Sequence, residues 1–234
     1  MLTYATSLLT NSTDGTWFSN PVIKNELLNA TLETLQMSFI SAFFTVLIGI
    51  PLGLAVVATS KKGLVPNAFI NNVLSIIINV GRSIPFIILM IAIIPFTKLI
   101  VGTSVGWQAA VLPLTVGAIP FFARLVESAV IGVDQGKVEA TQMMGASRRQ
   151  ILGVLVLEAL PAIVQSITVL VITLISYSAM AGAIGGGGLG SLAINYGYQR
   201  FMTDVMVITV VIIVLIVQIV QMVGDMISRL VDHR

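Results

Sequence analysis

The sequence predicts an all-α integral membrane protein with five transmembrane helices. Three observations carry that reading. The chain is 56% hydrophobic and only 9% charged over 234 residues, against about 45–50% and 25% in soluble domains. Its mean hydropathy is +1.02. Its charges are also spaced so that they bound apolar stretches of roughly 20 residues, the length that crosses a hydrocarbon core. Such a chain has room for about five spans and for no sizeable soluble domain. A formal charge of +2 gives no footprint for nucleic acid. With no Cys and one His, His233, there is neither a disulfide framework nor a transition-metal site to expect.

Residues 1–30 lack a basic segment followed by a continuous apolar run, so they read as a polar extracytoplasmic leader rather than a cleaved signal. No charge occurs between Glu33 and Lys61, which places span 1 at about 34–58, with Gly49, Pro51 and Gly53 inside it. The next apolar region, about 70–98, is interrupted by Arg82, Pro85 and Pro95. It is either one long tilted span or an interfacial stretch followed by a span starting near Arg82. Span 3 covers about 108–131 and holds Pro113, Pro120, Arg124 and Glu127. A polar loop, 132–158, follows. Span 4 occupies about 159–181, and a Gly-rich linker leads to span 5 at about 205–224. The transmembrane domain is thus 31–230, and 231–234 form a tail.

Five spans put the termini on opposite faces. If the segments after spans 1, 3 and 5 are cytoplasmic, Lys61, Lys62, Lys137, Arg148, Arg149, Arg229 and Arg234 lie inside and only Lys24, Lys98 and Arg200 outside. Seven against three favours an outer N-terminus and a cytoplasmic C-terminus.

The loop then stands out. Lys137 to Met144 contains good helix formers and no breaker. Gly145 suits the left-handed residue that ends a helix. Ser147, with Gln150 three residues on, forms a capping box that opens another. The segment therefore reads as two short helices around a glycine. Glu139 is placed in the first turn, facing the helix dipole. The adjacent Met143 and Met144 suit a surface that binds a partner. A plain connector obeying the charge rule is the alternative.

Val138-Glu139-Ala140-Thr141 followed by Gly145-Ala146 resembles the Glu-Ala-Ala loop of the inner-membrane permease subunits of ABC importers. The third loop position is Thr141 rather than Ala, and Leu160-Pro161 stands later than the family's Leu-Pro, whose Pro would fall at Glu158. Further stretches are similar to the methionine branch of that family: Gly81-Arg82-Ser83-Ile84-Pro85-Phe86, Ile94-Pro95-Phe96-Thr97, Val101-Gly102-Thr103-Ser104, Pro113-Leu114-Thr115, Tyr177-Ser178-Ala179-Met180 and Gly187-Gly188-Leu189-Gly190. The likeness runs over roughly residues 25–230. It implies a type I ABC importer permease fold and a homodimer in the cell membrane. It also implies a dimer of ATP-binding subunits that holds ATP and Mg, and an extracytoplasmic methionine-binding protein. By the same resemblance, Lys137, Glu139, Ala140, Met143, Met144, Gly145, Ala146 and Arg148 become the expected contact with the ATPase. This chain would do no covalent chemistry and bind no cofactor.

Other polar groups carry two readings each. Arg82 either snorkels or pairs structurally, or it lines a pathway. With it, Pro85, Ser176, Tyr177, Ser178 and Met180 are the candidate pathway residues, although small residues in span 4 also serve helix packing. Arg124 and Glu127, at i and i+3, share a helix face and are expected to pair. Gly49 and Gly53 have a helix-packing spacing. Gly185, Gly187 and Gly190 match G-x-G-x-x-G, but they follow a membrane span and not a strand, so a dinucleotide site is not expected. No P-loop motif occurs. A permease for another amino acid or small polar solute is the nearest alternative. A secondary transporter is weaker, because the interiors of spans 1, 4 and 5 lack the carboxylates such proteins use for ion coupling. No nucleophile–base pair suggests an enzyme.

Overall fold

A computed structural model describes residues 19–61 and 63–232. Among them there is no strand. The helices are α1 (Pro21–Thr59), α2 (Ala68–Ser83), α3 (Phe86–Ala92), α4 (Ile94–Val101), α5 (Trp107–Ile131), α6 (Gln135–Met143), α7 (Arg148–Ala183), α8 (Gly188–Leu192) and α9 (Thr203–Val231). A π-helical turn, Ala193–Tyr198, joins α8 to α9. Most of the expected leader, together with Lys62, His233 and Arg234, lies outside the described residues.

Four helices, α1, α5, α7 and α9, are long and apolar enough to cross a membrane. The pair α2 and α3 passes the same test only as a broken unit bent by 98°. The region expected at 70–98 is therefore broken next to Arg82 and is not one continuous tilted helix. Pro85 explains the break. The residue before a proline is pushed out of the helical region, and Ile84 is extended, with φ −80° and ψ 123°.

Two helices extend well past the expected spans. Nothing between Pro21 and Thr59 breaks α1, whose 39 residues reach about 58 Å, far beyond a hydrocarbon core of about 30 Å. Asn20 starts it by accepting from the Val22 N–H at 2.9 Å, and Pro21 fits the first turn, where its missing N–H costs nothing. Likewise α7 runs unbroken for 36 residues from Arg148. The short second helix expected after Gly145 is thus the first part of α7, the third of the four long helices. Pro161 lies inside it without ending it.

The most extensive helix pair is α1 with α5. A Cβ on Gly49 would lie 2.6 Å from a ring carbon of Phe122, and one on Gly53 would lie 2.6 Å from the Ala123 carbonyl oxygen. Phe122, Ala123 and Val126 are fully buried there. The core continues through Met37, Leu114, Leu170 and Leu174 into α7. On the far side, α9 meets α7 where Gly224 faces Thr168. Much of the remaining surface of α9 is apolar and exposed, as at Val214, Leu215, Ile219 and Met222, which suits a lipid surrounding.

The glycines differ in what they allow. Gly53→Ala should destabilise the fold by about 1–3 kcal/mol, because the added methyl meets backbone. Gly153 in α7 has open space where its Cβ would be, so Gly153→Ala should be neutral or stabilise by up to about 1 kcal/mol. Thermal unfolding of the two purified variants in one detergent checks the contrast.

Candidate functional site

The polar loop folds as a helix and a reversal. Asp134 caps α6 by accepting from the Gly136 N–H at 2.9 Å. Glu139 is the fifth residue of α6, not part of its first turn. The favourable dipole position therefore belongs to Asp134, and the role expected of Glu139 there is corrected. At the other end Gly145 has φ 78°. Its N–H donates to the Gln142 carbonyl at 2.9 Å, and the Ala146 N–H donates to that of Thr141 at 3.4 Å. This pair of bonds is the Schellman arrangement that ends a helix on a glycine. Ser147 then opens α7, its N–H donating to the Gln150 side-chain oxygen at 2.8 Å.

The two faces of α6 are unlike. Val138 and Thr141 are buried, and Val138 joins Ile151, Leu155 and Ala159 of α7 in the core. Thr141, the departure from the loop pattern, keeps its hydroxyl satisfied by donating to the Lys137 carbonyl at 2.7 Å. Lys137 pairs with Glu158 of α7. Outward stand Glu139 and Ala140, with Met143 90% and Met144 80% exposed. Ala146 packs at the edge of the core, and Arg148 is exposed at the start of α7. The doubly capped helix thus carries an exposed apolar tip on an otherwise polar outer face.

A second feature lies at the α2–α3 break. A cleft of about 160 Å³ is lined by Arg82, Phe86, Leu89, Phe121 and Tyr177, among others. Phe86 and Tyr177 stack, with ring centres 4.2 Å apart and planes 9° apart. Of the candidate pathway residues, this brings Arg82 and Tyr177 together, and Pro85 makes the bend beside them. Ser178 is instead buried, donating to the Ile175 carbonyl at 2.6 Å. Ser176 and Met180 are exposed on α7 away from the cleft lining. Arg124 and Glu127 form the expected ion pair within α5.

A third feature escaped sequence reasoning. Glu33 and Thr34 of α1 accept from the N–H groups of Gly188 and Leu189, at 2.7 and 2.8 Å. Gly187 and Gly188 both have positive φ, 73° and 72°, so the chain turns back and α8 packs on Gly182. Nearby, the Tyr196 hydroxyl donates to Glu26 at 2.9 Å, which raises the phenol above its ordinary value of 10.0. Asn20 donates to Asp204 at 2.8 Å. The sequence signal was Glu33 itself, the last charge before the first long apolar run.

Glu158→Lys should loosen α6 by placing two cations together, and the swap Lys137→Glu with Glu158→Lys should restore it. The pair is partly exposed, so the effect is about 0.2–1 kcal/mol. Amide hydrogen exchange over residues 135–146 measures it.

Comparison with known proteins agrees with this geometry. Residues 46–234 match the family model described as binding-protein-dependent transport system inner membrane component. The chain is 51% identical over 219 residues to the probable D-methionine transport system permease protein MetI of Vibrio cholerae, covering 93% of this chain and 96% of that one. It is 49% identical over 157 residues to the D-methionine transport system permease protein MetI of Escherichia coli K12, covering 67% and 72%. Among solved structures, an inward-facing MetNI methionine ABC transporter superposes with a TM-score of 0.88 at 46% identity, over 92% of this chain and all of that one. An amino acid ABC transporter at 19% identity shares the fold, with a TM-score of 0.72. The chain belongs to the family of binding-protein-dependent transport system inner membrane components.

Proposed function

We propose that this chain is the permease subunit of an ATP-driven importer of methionine. In this reading two copies form the pathway, a dimer of ATP-binding subunits holds the ATP and Mg, and an extracytoplasmic protein delivers the substrate. The carrying observation is α6. Its buried face is fixed to α7, its ends are capped, and its exposed tip presents Met143 and Met144. A partner seated on that tip moves α7 with it. The D-methionine permeases of similar sequence support the choice of substrate. Glu139 and Arg148 border the tip and supply its polar rim, with the small Ala140 beside Glu139.

In reconstituted vesicles the chain alone should not accumulate methionine. Addition of the ATP-binding subunit and the binding protein should give ATP-dependent uptake. ATP-independent accumulation by the chain alone would sink the proposal. A Cβ at a positive φ costs about 1–2 kcal/mol. Gly145→Asp should therefore weaken co-purification of the ATP-binding subunit while leaving membrane insertion intact. Full assembly and full coupled hydrolysis in Gly145→Asp and Glu139→Lys would make the segment a mere connector.

The basic-residue asymmetry supports a cytoplasmic α6 and an outer N-terminus. The chain has no Cys, so Ser12→Cys and Ser147→Cys are clean reporters. An impermeant maleimide added to intact cells should label the first and spare the second; the opposite pattern reverses the topology.

A further inference from the structure

We propose that the cleft between α2, α3, α5 and α7 is a transit site for an amino acid, with Arg82 holding the substrate carboxylate and the Phe86–Tyr177 stack facing its side chain. This rests on the methionine reading above and adds the residues that would meet the substrate inside the membrane.

Gly81 packs so closely on Pro120 that a Cβ there would lie 2.6 Å from the proline ring. Pro120 stands eleven residues before the end of α5 at Ile131, about 16 Å at the helical rise. It stands thirteen residues after Trp107, about 20 Å from the other end. Arg82 is therefore level with the middle of a spanning helix. That distance is too long for its side chain to place the charge at either end.

Arg124 is paired with Glu127, and Lys137 with Glu158. Among the described residues, Arg82 has no hydrogen-bond or ion-pair partner. An unpaired guanidinium at that depth is costly, and such groups mark substrate paths. Its planar fork fits a carboxylate by two parallel hydrogen bonds. Its charge also orients a zwitterion carboxylate-first, with the ammonium directed away.

Gly117 lets α3 approach α5 so closely that a Cβ there would lie 3.1 Å from both Phe86 and Leu89. Phe86 is thereby held flat against Tyr177 of α7. Aromatic rings beside Leu89 and Phe121 make an apolar surface, and thioether sulfur packs favourably on aromatic rings. The cleft, at about 160 Å³, is smaller than ligand pockets of about 300–1,000 Å³. It holds an amino acid on one side only, as a transit site between two copies would.

The test uses the assembled transporter, purified with its ATP-binding subunit in a phosphate-free detergent. Leu89→Cys, in this Cys-free chain, reports on the cleft through its rate of maleimide labelling, with Phe121→Cys as a second reporter. Methionine should slow labelling, and methioninamide, which lacks the carboxylate, should not. Arg82→Gln should raise the methionine concentration needed for protection by about ten- to a hundredfold. Arg82→Lys should recover part of it, since it keeps the charge and loses the fork. Equal protection by methionine and methioninamide overturns the proposal. So does protection unchanged in Arg82→Gln, or no protection at either cysteine. Slowed labelling by added phosphatidylglycerol in place of methionine assigns Arg82 to a lipid phosphate and also overturns it. Methionine uptake into vesicles is measured alongside with the unsubstituted chain. Uptake without protection defeats the transit site alone. Absence of ATP-driven methionine uptake defeats the function proposed above, and this inference with it.

Discussion

The close crossing of α1 and α5 at Gly49 and Gly53 sets the distance at which the rest of the bundle is built. In lipid the hydrophobic effect does not pull helices together, so association depends on backbones approaching until van der Waals contact is dense. The two glycines give α5 that approach on one side, with Phe122 and Ala123 against them. From there α5 acts as the hub. Pro120 seats α2 at Gly81, Gly117 seats α3, and the buried Leu114 and Phe122 join the core that continues into α7. The cleft beside Arg82 is the space left where α2 stops and α3 turns away.

A second constraint governs the irregular backbone. Non-helical backbone at membrane depth is tolerated only where its polar groups find partners or line a cavity. The chain breaks its helices at Ile84–Pro85 and at the glycines from Gly185 to Gly188. At the second break Glu33 and Thr34 reach across from α1 to accept the exposed N–H groups. At the first, Pro85 has no N–H to satisfy, and the break opens onto the cleft. The two breaks are accordingly where much of the polar chemistry of this apolar chain gathers.

What the sequence made legible was local. Gly145 could be read as a helix terminus because the signal and its effect lie within six residues. Gly49 with Gly53, and Arg124 with Glu127, each lie within one turn of a helix. Helix ends were harder. Charges mark the edge of the apolar slab but do not stop a helix, so α1 begins at Pro21 and α7 at Arg148, well before the hydrophobic runs they contain. The displaced dipole position at Asp134 is an error of the same kind. Pairings across the chain were out of reach. Glu33 meets Gly188 over 155 residues of sequence, and Phe86 meets Tyr177 only because Pro85 turns α3 toward α7. Such contacts depend on tertiary placement and leave no periodic trace.

In the function proposed above, the unbroken length of α7 makes it a lever. Its 36 residues extend about 54 Å, and its tight contact with α9 at Thr168 and Gly224 serves as a fulcrum. The arm toward Arg148 is about 30 Å long and the arm toward Ala183 about 22 Å. A tilt of about 5° about that point moves the α6 end by about 2.6 Å and Tyr177 by about 1.2 Å in the opposite sense, on the same rise per residue. Pro161 sits on the longer arm, where a lost backbone hydrogen bond softens the rod. The stiffness of the stretch from Arg148 to Thr168 would then set the gain between the loop and the cleft.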